Sequence, residues 1–256
     1  MSVWNPFLGT RTAEAYARAR PDYHPDAVAA MVRLLRLSAP VGLALDLGCG
    51  TGMSTRAVKS IAAQVVAVDA SRPMLEQADP SPGVAYIQAQ AERVPVRGNV
   101  VGLVVVAAAF HWFDQAAVLA EVARVLQPGG AFVTYTDFFS GNLRRAAACT
   151  EWLAETYRGR FPAPARRSHF DQRAAEAAGL GFVGHERLGH DVPMTAAGLT
   201  EYLMSQSNAT SAIGAGRVSH EELRRWLMDE IGSRLPGSSV MAEFTGDVWC
   251  CRKQMP

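Results

Sequence analysis

The sequence predicts an α/β fold built on a mostly parallel sheet. Three observations carry that reading. Short segments rich in Val, Leu and Ile recur between Gly, Pro and Asp; stretches with helical spacing lie between them; and the first apolar segment runs directly into a glycine loop. Strand alternating with helix is the pattern of parallel neighbours joined by crossover helices on both faces of a sheet.

Taken in order, the predicted strands are 41 to 47, 64 to 68, 84 to 88, 100 to 107 and 131 to 136. The predicted helices between them are 53 to 62, Arg72 to Ala78, and Gln115 to Leu126, where Val118, Val122, Val125 and Leu126 recur at helical spacing before the turn at Pro128, Gly129 and Gly130. After residue 137 the alternation stops. A helical, arginine-bearing stretch is expected to about Leu180, as an insertion over the sheet. The chain then returns with GFVGHERLGHDV, a helix from about Thr195 to Met204, a second from about Ser219 to Arg234, and a last strand near Val240 to Cys251. Gly214 to Gly216 reads as a loop.

With 256 residues, 49% of them hydrophobic, one domain with elaborations is expected. The net charge of +1 creates no global basic field of the kind that gathers nucleic acid or anionic membrane. The amino-terminal stretch has no basic start followed by an apolar run, and no apolar run reaches the length of a membrane span, so a soluble cytoplasmic protein is expected. Cys49, Cys149, Cys250 and Cys251 form no CxxC pair and no metal-ligand spacing; structural thiols and no metal site are expected.

The stretch LALDLGCGTGMS places Gly48, Gly50 and Gly52 at the end of the first strand, where bare backbone permits a sharp turn and the close approach of a ligand. A phosphate-cradling loop needs GxxxxGK followed by Ser or Thr, and no lysine follows until Lys59. A dinucleotide fingerprint counted from Gly48 puts Met53 where a third small residue belongs, which weakens a nicotinamide reading. Asp46 just ahead of the loop and Asp69 at the end of the second strand sharpen the pattern, since a carboxylate at the latter place accepts both ribose hydroxyls of an adenosine cofactor. Asp69 could equally cap the helix that starts near Ser71, Arg72 and Pro73.

On these residues the chain resembles the class I S-adenosylmethionine-dependent methyltransferases. The family's first motif, an acid followed by GxGxG, is matched by Asp46 to Gly52. Its ribose-binding acid is matched by Asp69 in VDASRPML, which also holds Ala70, Ser71 and Met74. AQAERVPV corresponds to the adenine segment through Ala91 and Glu92. VVVAAAFHWFD, with Ala108, and the run LAEVARVLQPGGAFVTY are similar to the small-molecule branch. YARARPDY resembles a segment of a bacterial and fungal branch that includes the aconitate-type enzymes, where it lies over the cofactor.

The resemblance implies a Rossmann-like sheet of about seven strands with the last antiparallel, and a helical cap from 138 to 218 that includes one returning strand. A helical cover at 1 to 40, a cofactor-binding core at 41 to 137 and a carboxyl-terminal helix and strand at 219 to 256 complete the expected domain. S-adenosylmethionine is the implied cofactor. Tyr16, Arg20, Asp46, Gly48, Gly50, Gly52, Asp69, Ala70, Met74, Ala91, Glu92 and Ala108 are the implied cofactor contacts. Arg20 would face the cofactor's carboxylate; the alternative is an exposed arginine at a helix end. Tyr23, Trp112 and Ser207 are candidate substrate contacts.

His111, after the fourth strand, could act as a base or only shape the pocket. Asp137 is a second candidate catalytic group, with His169 and His190 behind it. In-line methyl transfer needs orientation more than a base. Cap arginines 144, 145, 158, 160, 166, 167 and 173 read as a solvated face or, alternatively, as a surface for an anionic substrate or RNA. The expected partner is a small molecule and not a membrane or nucleic acid, with the chain a monomer or homodimer. The rival functions are an RNA methyltransferase, a non-methylating homologue such as a cyclase, and a nicotinamide dehydrogenase.

Overall fold

A computed structural model of the chain describes residues 10–164 and 170–255; Arg166, Arg167 and His169 lie outside the described residues. In chain order the elements are α1 (Thr10–Ala19), α2 (His24–Leu35), β1 (Val41–Leu47), α3 (Met53–Lys59), β2 (Ala62–Asp69), α4 (Arg72–Leu75), β3 (Val84–Gln88), β4 (Val101–Ala107), α5 (Gln115–Val125), β5 (Leu126–Tyr135) and β6 (Phe138–Arg144). There follow α6 (Ala147–Trp152), a π-helical turn (Leu153–Tyr157), α7 (Arg158–Arg160), α8 (Gln172–Ala177), β7 (Leu180–Met194), α9 (Ala196–Met204), α10 (Ser207–Gly214), α11 (His220–Gly232) and β8 (Val240–Lys253).

The chain divides into two units. The first, called the core unit here, holds residues 22–137 and the described parts of 166–188 and 246–255. Its strands lie in the order β3-β2-β1-β4-β5-β8, parallel until β8 pairs antiparallel with β5. The period of two along each strand separates two apolar faces. Ala44, Leu103, Val105, Val133 and Tyr135 pack with Met31 of α2 and Val58 of α3, whereas Leu45, Leu47, Val104, Val106 and Phe132 pack with Val118 and Val122 of α5 and Ala175 of α8. Because β1 is flanked by β2 on one side and β4 on the other, its carboxyl end lies at the point where the strand order reverses, the place where open α/β sheets bind ligands.

The second unit, called the cap unit, holds described residues 10–21, 138–164 and 189–245. Here β6 pairs antiparallel with the amino-terminal part of β8, Phe138 opposite Thr245 and Phe139 opposite Phe244. Its core joins Trp152, Leu153 and Tyr157 to Leu199, Leu203, Leu223 and Leu227 of α9 and α11. A capping box, in which Ser219 accepts the Glu222 amide and Glu222 accepts the Ser219 amide, starts α11.

Among the described residues the sheet has eight strands where about seven were expected. The extra one is β6, within a stretch expected to be helical: FFSGNLR carries Ser, Gly and Asn in its middle, and pairing with β8 makes it a strand with a register shift between Phe139 and Leu143. The loop expected from Gly214 begins only at Ala215, because α10 extends to Gly214. β5 starts at Leu126 and runs through Pro128 and the two glycines. Among the described residues no helix is long and apolar enough to cross a membrane, and no group of three His, Cys, Asp or Glu could hold a metal.

Candidate active site

The loop between β1 and α3 turns its donors inward. The amides of Gly48 and Cys49 both donate to the Val68 carbonyl, at 2.8 and 3.1 Å, that of Gly50 to Asp69 Oδ2 at 2.8 Å, and that of Gly52 to the Cys49 carbonyl at 2.9 Å. Two of the glycines are required by geometry. Gly48 has φ +69°, and a Cβ on it would stand 2.7 Å from Ala109 Cβ and 2.9 Å from Phe113 Cζ; Gly52 has φ +78°, and its Cβ would stand 2.5 Å from Tyr86 Oη. Gly50 lies against the Met74 methyl group, which joins α4 to the loop.

Two carboxylates lie at this strand edge. Asp46 is fully buried, and its Oδ2 accepts the hydroxyls of Ser54 at 2.7 Å and Thr55 at 2.6 Å from the first turn of α3. Burial lifts its carboxyl from the ordinary value of 3.8 to about 6; the two hydroxyls pull the other way, and the neighbouring Asp69 adds to the rise. Asp69 accepts the Gly50 amide on one oxygen and the Ser71 amide, at 2.7 Å, on the other. Burial raises its carboxyl too, opposed by these backbone donors. Each oxygen keeps a lone pair for a ligand hydroxyl. The cap of α4 is Ser71, whose side chain accepts the Met74 amide, so the helix-capping alternative for Asp69 does not describe the structure.

Ala70 is exposed, and its carbonyl accepts Gln88 Nε2. Ala91 is buried in the core face that holds Leu45 and Val68. Glu92 is engaged, since its carboxylate accepts the Asp114 amide at the start of α5. Ala108 has φ +48° and donates its amide to the Tyr135 carbonyl at 2.7 Å; an alanine in that region is strained, and such strain gathers at functional sites. His111 is buried in the short 3₁₀ turn at Phe110–Trp112, its ring 4.8 Å from that of Trp112. Asp137 is buried just past β5.

Two pairs escaped the sequence reading. Ser54 and Thr55, which hold Asp46, could have been found as hydroxyls on the first turn of the helix that follows the loop. His24 and Tyr135 could not, being 111 residues apart: the His24 Nδ1 and Tyr135 Oη share a hydrogen bond of 2.8 Å, with Tyr23 stacked on the imidazole at 4.3 Å. Tyr23, a candidate substrate contact, therefore packs at the end of β5.

Tyr16, Arg20 and Ser207 belong to the cap unit. There the Arg20 guanidinium lies 4.7 Å over the Tyr16 ring and 5.1 Å over the Tyr202 ring, and donates to the Ser205 carbonyl at 3.2 Å. Ser207 is buried at the start of α10. Three of the expected cap arginines are engaged inside that unit: Arg144 pairs with Asp191 at 2.7 Å, Arg158 donates to the Ser140 carbonyl, and Arg160 lies 4.7 Å over Trp226, whereas Arg173 belongs to the core unit. His190 stacks on Phe244. All four cysteines are buried and free, and burial pushes the Cys250 and Cys251 thiols up to about 12, which leaves them inert.

The doubly wound sheet, with a glycine loop and a second acid at the neighbouring strand end, defines an α/β domain of the Rossmann-like class. Residues 45–134 match the family of methyltransferase domains. An uncharacterised methyltransferase of Mycobacterium tuberculosis is 41% identical over 117 residues, 45% of this chain and 46% of that protein. The malonyl-[acyl-carrier protein] O-methyltransferase of Alcanivorax borkumensis is 35% identical over 130 residues, 46% of this chain and 44% of that one. The chain thus spans about half the length of the curated relatives it matches. A solved structure from Anaeromyxobacter dehalogenans, assigned as a type II methyltransferase, superposes with a TM-score of 0.67 at 22% identity over 90% of this chain and 97% of that chain, which is a likeness of fold.

Proposed function

We propose that the protein is an S-adenosylmethionine-dependent methyltransferase acting on a small molecule, with a carboxylate oxygen as the acceptor atom. One observation carries the cofactor reading: the loop's amides are engaged inward while Asp46 and Asp69 lie beside it. A phosphate site needs outward amides and no nearby acids. A nucleoside that carries an ammonium and a sulfonium, and no phosphate, suits the opposite arrangement. When bound, S-adenosylmethionine supplies a methyl group on a positively charged sulfur, and the carbon–sulfur electron pair leaves with sulfur as the new bond to the acceptor forms.

The chain's residues then have separable roles. Asp69, fixed by two backbone donors, accepts the ribose hydroxyls; Met74 packs against the loop at Gly50; Asp46 supplies negative charge for the cationic end. The choice of acceptor draws on the malonyl-carrier-protein relative and on chemistry: a carboxylate is already deprotonated at neutral pH, so transfer requires alignment and no general base. His111 is accordingly assigned to shaping the pocket. Engagement of Arg144, Arg158 and Arg160 within the cap unit speaks against an RNA-binding face.

Calorimetric titration with S-adenosylhomocysteine and with NADH tests the cofactor, and incubation with methyl-labelled S-adenosylmethionine in a host extract tests the acceptor. Binding of the first ligand alone and label in small molecules, released by mild alkali as expected of a methyl ester, are the expected results. Binding of NADH alone would overturn the cofactor, and label confined to RNA would overturn the acceptor.

A further inference from the structure

We propose that Ser54 and Thr55 are positioning residues for the cationic end of the bound cofactor: together they hold one oxygen of Asp46, so that the other is left to meet that cation. The inference rests on the proposed function and assigns to this site two residues that neither the glycine pattern nor the acid motif contains.

The geometry is specific. Both hydroxyls converge on Oδ2, at 2.7 and 2.6 Å, from consecutive residues in the first turn of α3. The second oxygen, Oδ1, is buried and has no hydrogen-bond partner among the described residues. A buried carboxylate oxygen without a donor is costly, and the cost is removed when a ligand brings a donor or a positive charge to it. The hydroxyls favour the ionised form over a protonated carboxyl, because in these contacts they donate and the charged oxygen accepts more strongly.

Four other titratable or charged groups face the cluster. Asp69 from the end of β2 disfavours the charge on Asp46, and Arg56 on α3 is the positive group. The Cys49 thiol in the loop and the Tyr86 phenol on β3 are both held neutral, their values raised chiefly by burial. With Asp46 itself near 6, its charge is present at neutral pH and lost on acidification. Without the two hydroxyls that loss should occur at higher pH.

The test is S-adenosylhomocysteine affinity, measured by calorimetry from about pH 5.5 to about pH 8 on the wild type, on the Ser54→Ala/Thr55→Val double variant, on Thr55→Ser and on Asp46→Asn. In the wild type affinity should fall below about pH 6. In the double variant the fall should move about one pH unit upward, making binding roughly threefold weaker near pH 6.5 and nearly tenfold weaker near pH 5.5, while the two proteins converge near pH 8. Thr55→Ser should restore the wild-type profile, and Asp46→Asn should bind weakly with no acid limb.

A loss by the same factor at every pH would mean that the hydroxyls only support the fold, and would overturn the inference, as would an unmoved acid limb. If the double variant does not fold, Ser54→Ala alone should show a smaller shift in the same direction, and no shift there would overturn it too. Failure of the wild type to bind S-adenosylhomocysteine at all would instead refute the proposed function, and this inference with it.

Discussion

Replacing His24 by glutamine should make the protein less stable at neutral pH and more stable in mild acid. His24 is buried at the start of α2, and its imidazole sits at about 3 instead of 6.5, first because of burial and second because of the Arg56 charge. The unfolded chain therefore binds a proton more readily than the folded one across that interval, and stability falls as pH drops below 6.5. At about 1.4 kcal/mol for each full unit, the wild type loses about 2 kcal/mol by pH 5 and about 3 kcal/mol by pH 4 relative to neutral pH. Glutamine cannot titrate. It sacrifices ring packing against Tyr23 and part of the contact with Tyr135, at a cost of about 1–2 kcal/mol that does not vary with pH. The two stability curves should cross near pH 5. Asp46, whose carboxyl is raised to about 6, acts with the opposite sign, favouring the folded state as it takes up a proton, but it is common to both proteins and cancels in the difference. Urea denaturation of both proteins at several pH values between about 4 and 7 measures that difference. Parallel curves would refute the reasoning, because they would mean that His24 is not held neutral by its surroundings.

Gly48→Ala should lower stability by about 1–3 kcal/mol, since the new methyl group would combine a positive φ with contact on Ala109 and Phe113; for a chain of this size that is a drop of a few degrees in Tm, read by calorimetry. Asp69→Ala should weaken S-adenosylhomocysteine binding about a hundredfold, the loss of charge-assisted bonds to two ribose hydroxyls, and a titration with unchanged affinity would refute the ribose assignment.

Legibility in the sequence followed the range of the interactions. The strand over residues 41 to 47 and the end of the helix near residue 125 were readable because the apolar pattern and the flanking Gly and Pro are local signals. The turn at Gly48 and Gly52, with Asp46 and Asp69 beside it, was readable for the same reason, since the loop geometry is set by its own few residues. The strand Phe138–Arg144 was not, because its partner lies about a hundred residues downstream and its own composition favours turns. His24 and Tyr135 were invisible in the same way. Glu92 differs again: nothing local in its motif shows that one oxygen of its carboxylate accepts the Asp114 amide.

The inward-facing amides of the glycine loop also bear on selectivity among abundant metabolites. Adenosine phosphates share their nucleoside with the proposed cofactor and would otherwise compete for the same site. They meet here a turn whose Gly48, Cys49, Gly50 and Gly52 donors are already bonded, with two acids close by. Discrimination then needs no gate and no extra recognition element. A chemist seeking a probe or inhibitor for the proposed site should begin from uncharged or cationic nucleosides and leave phosphate mimics aside.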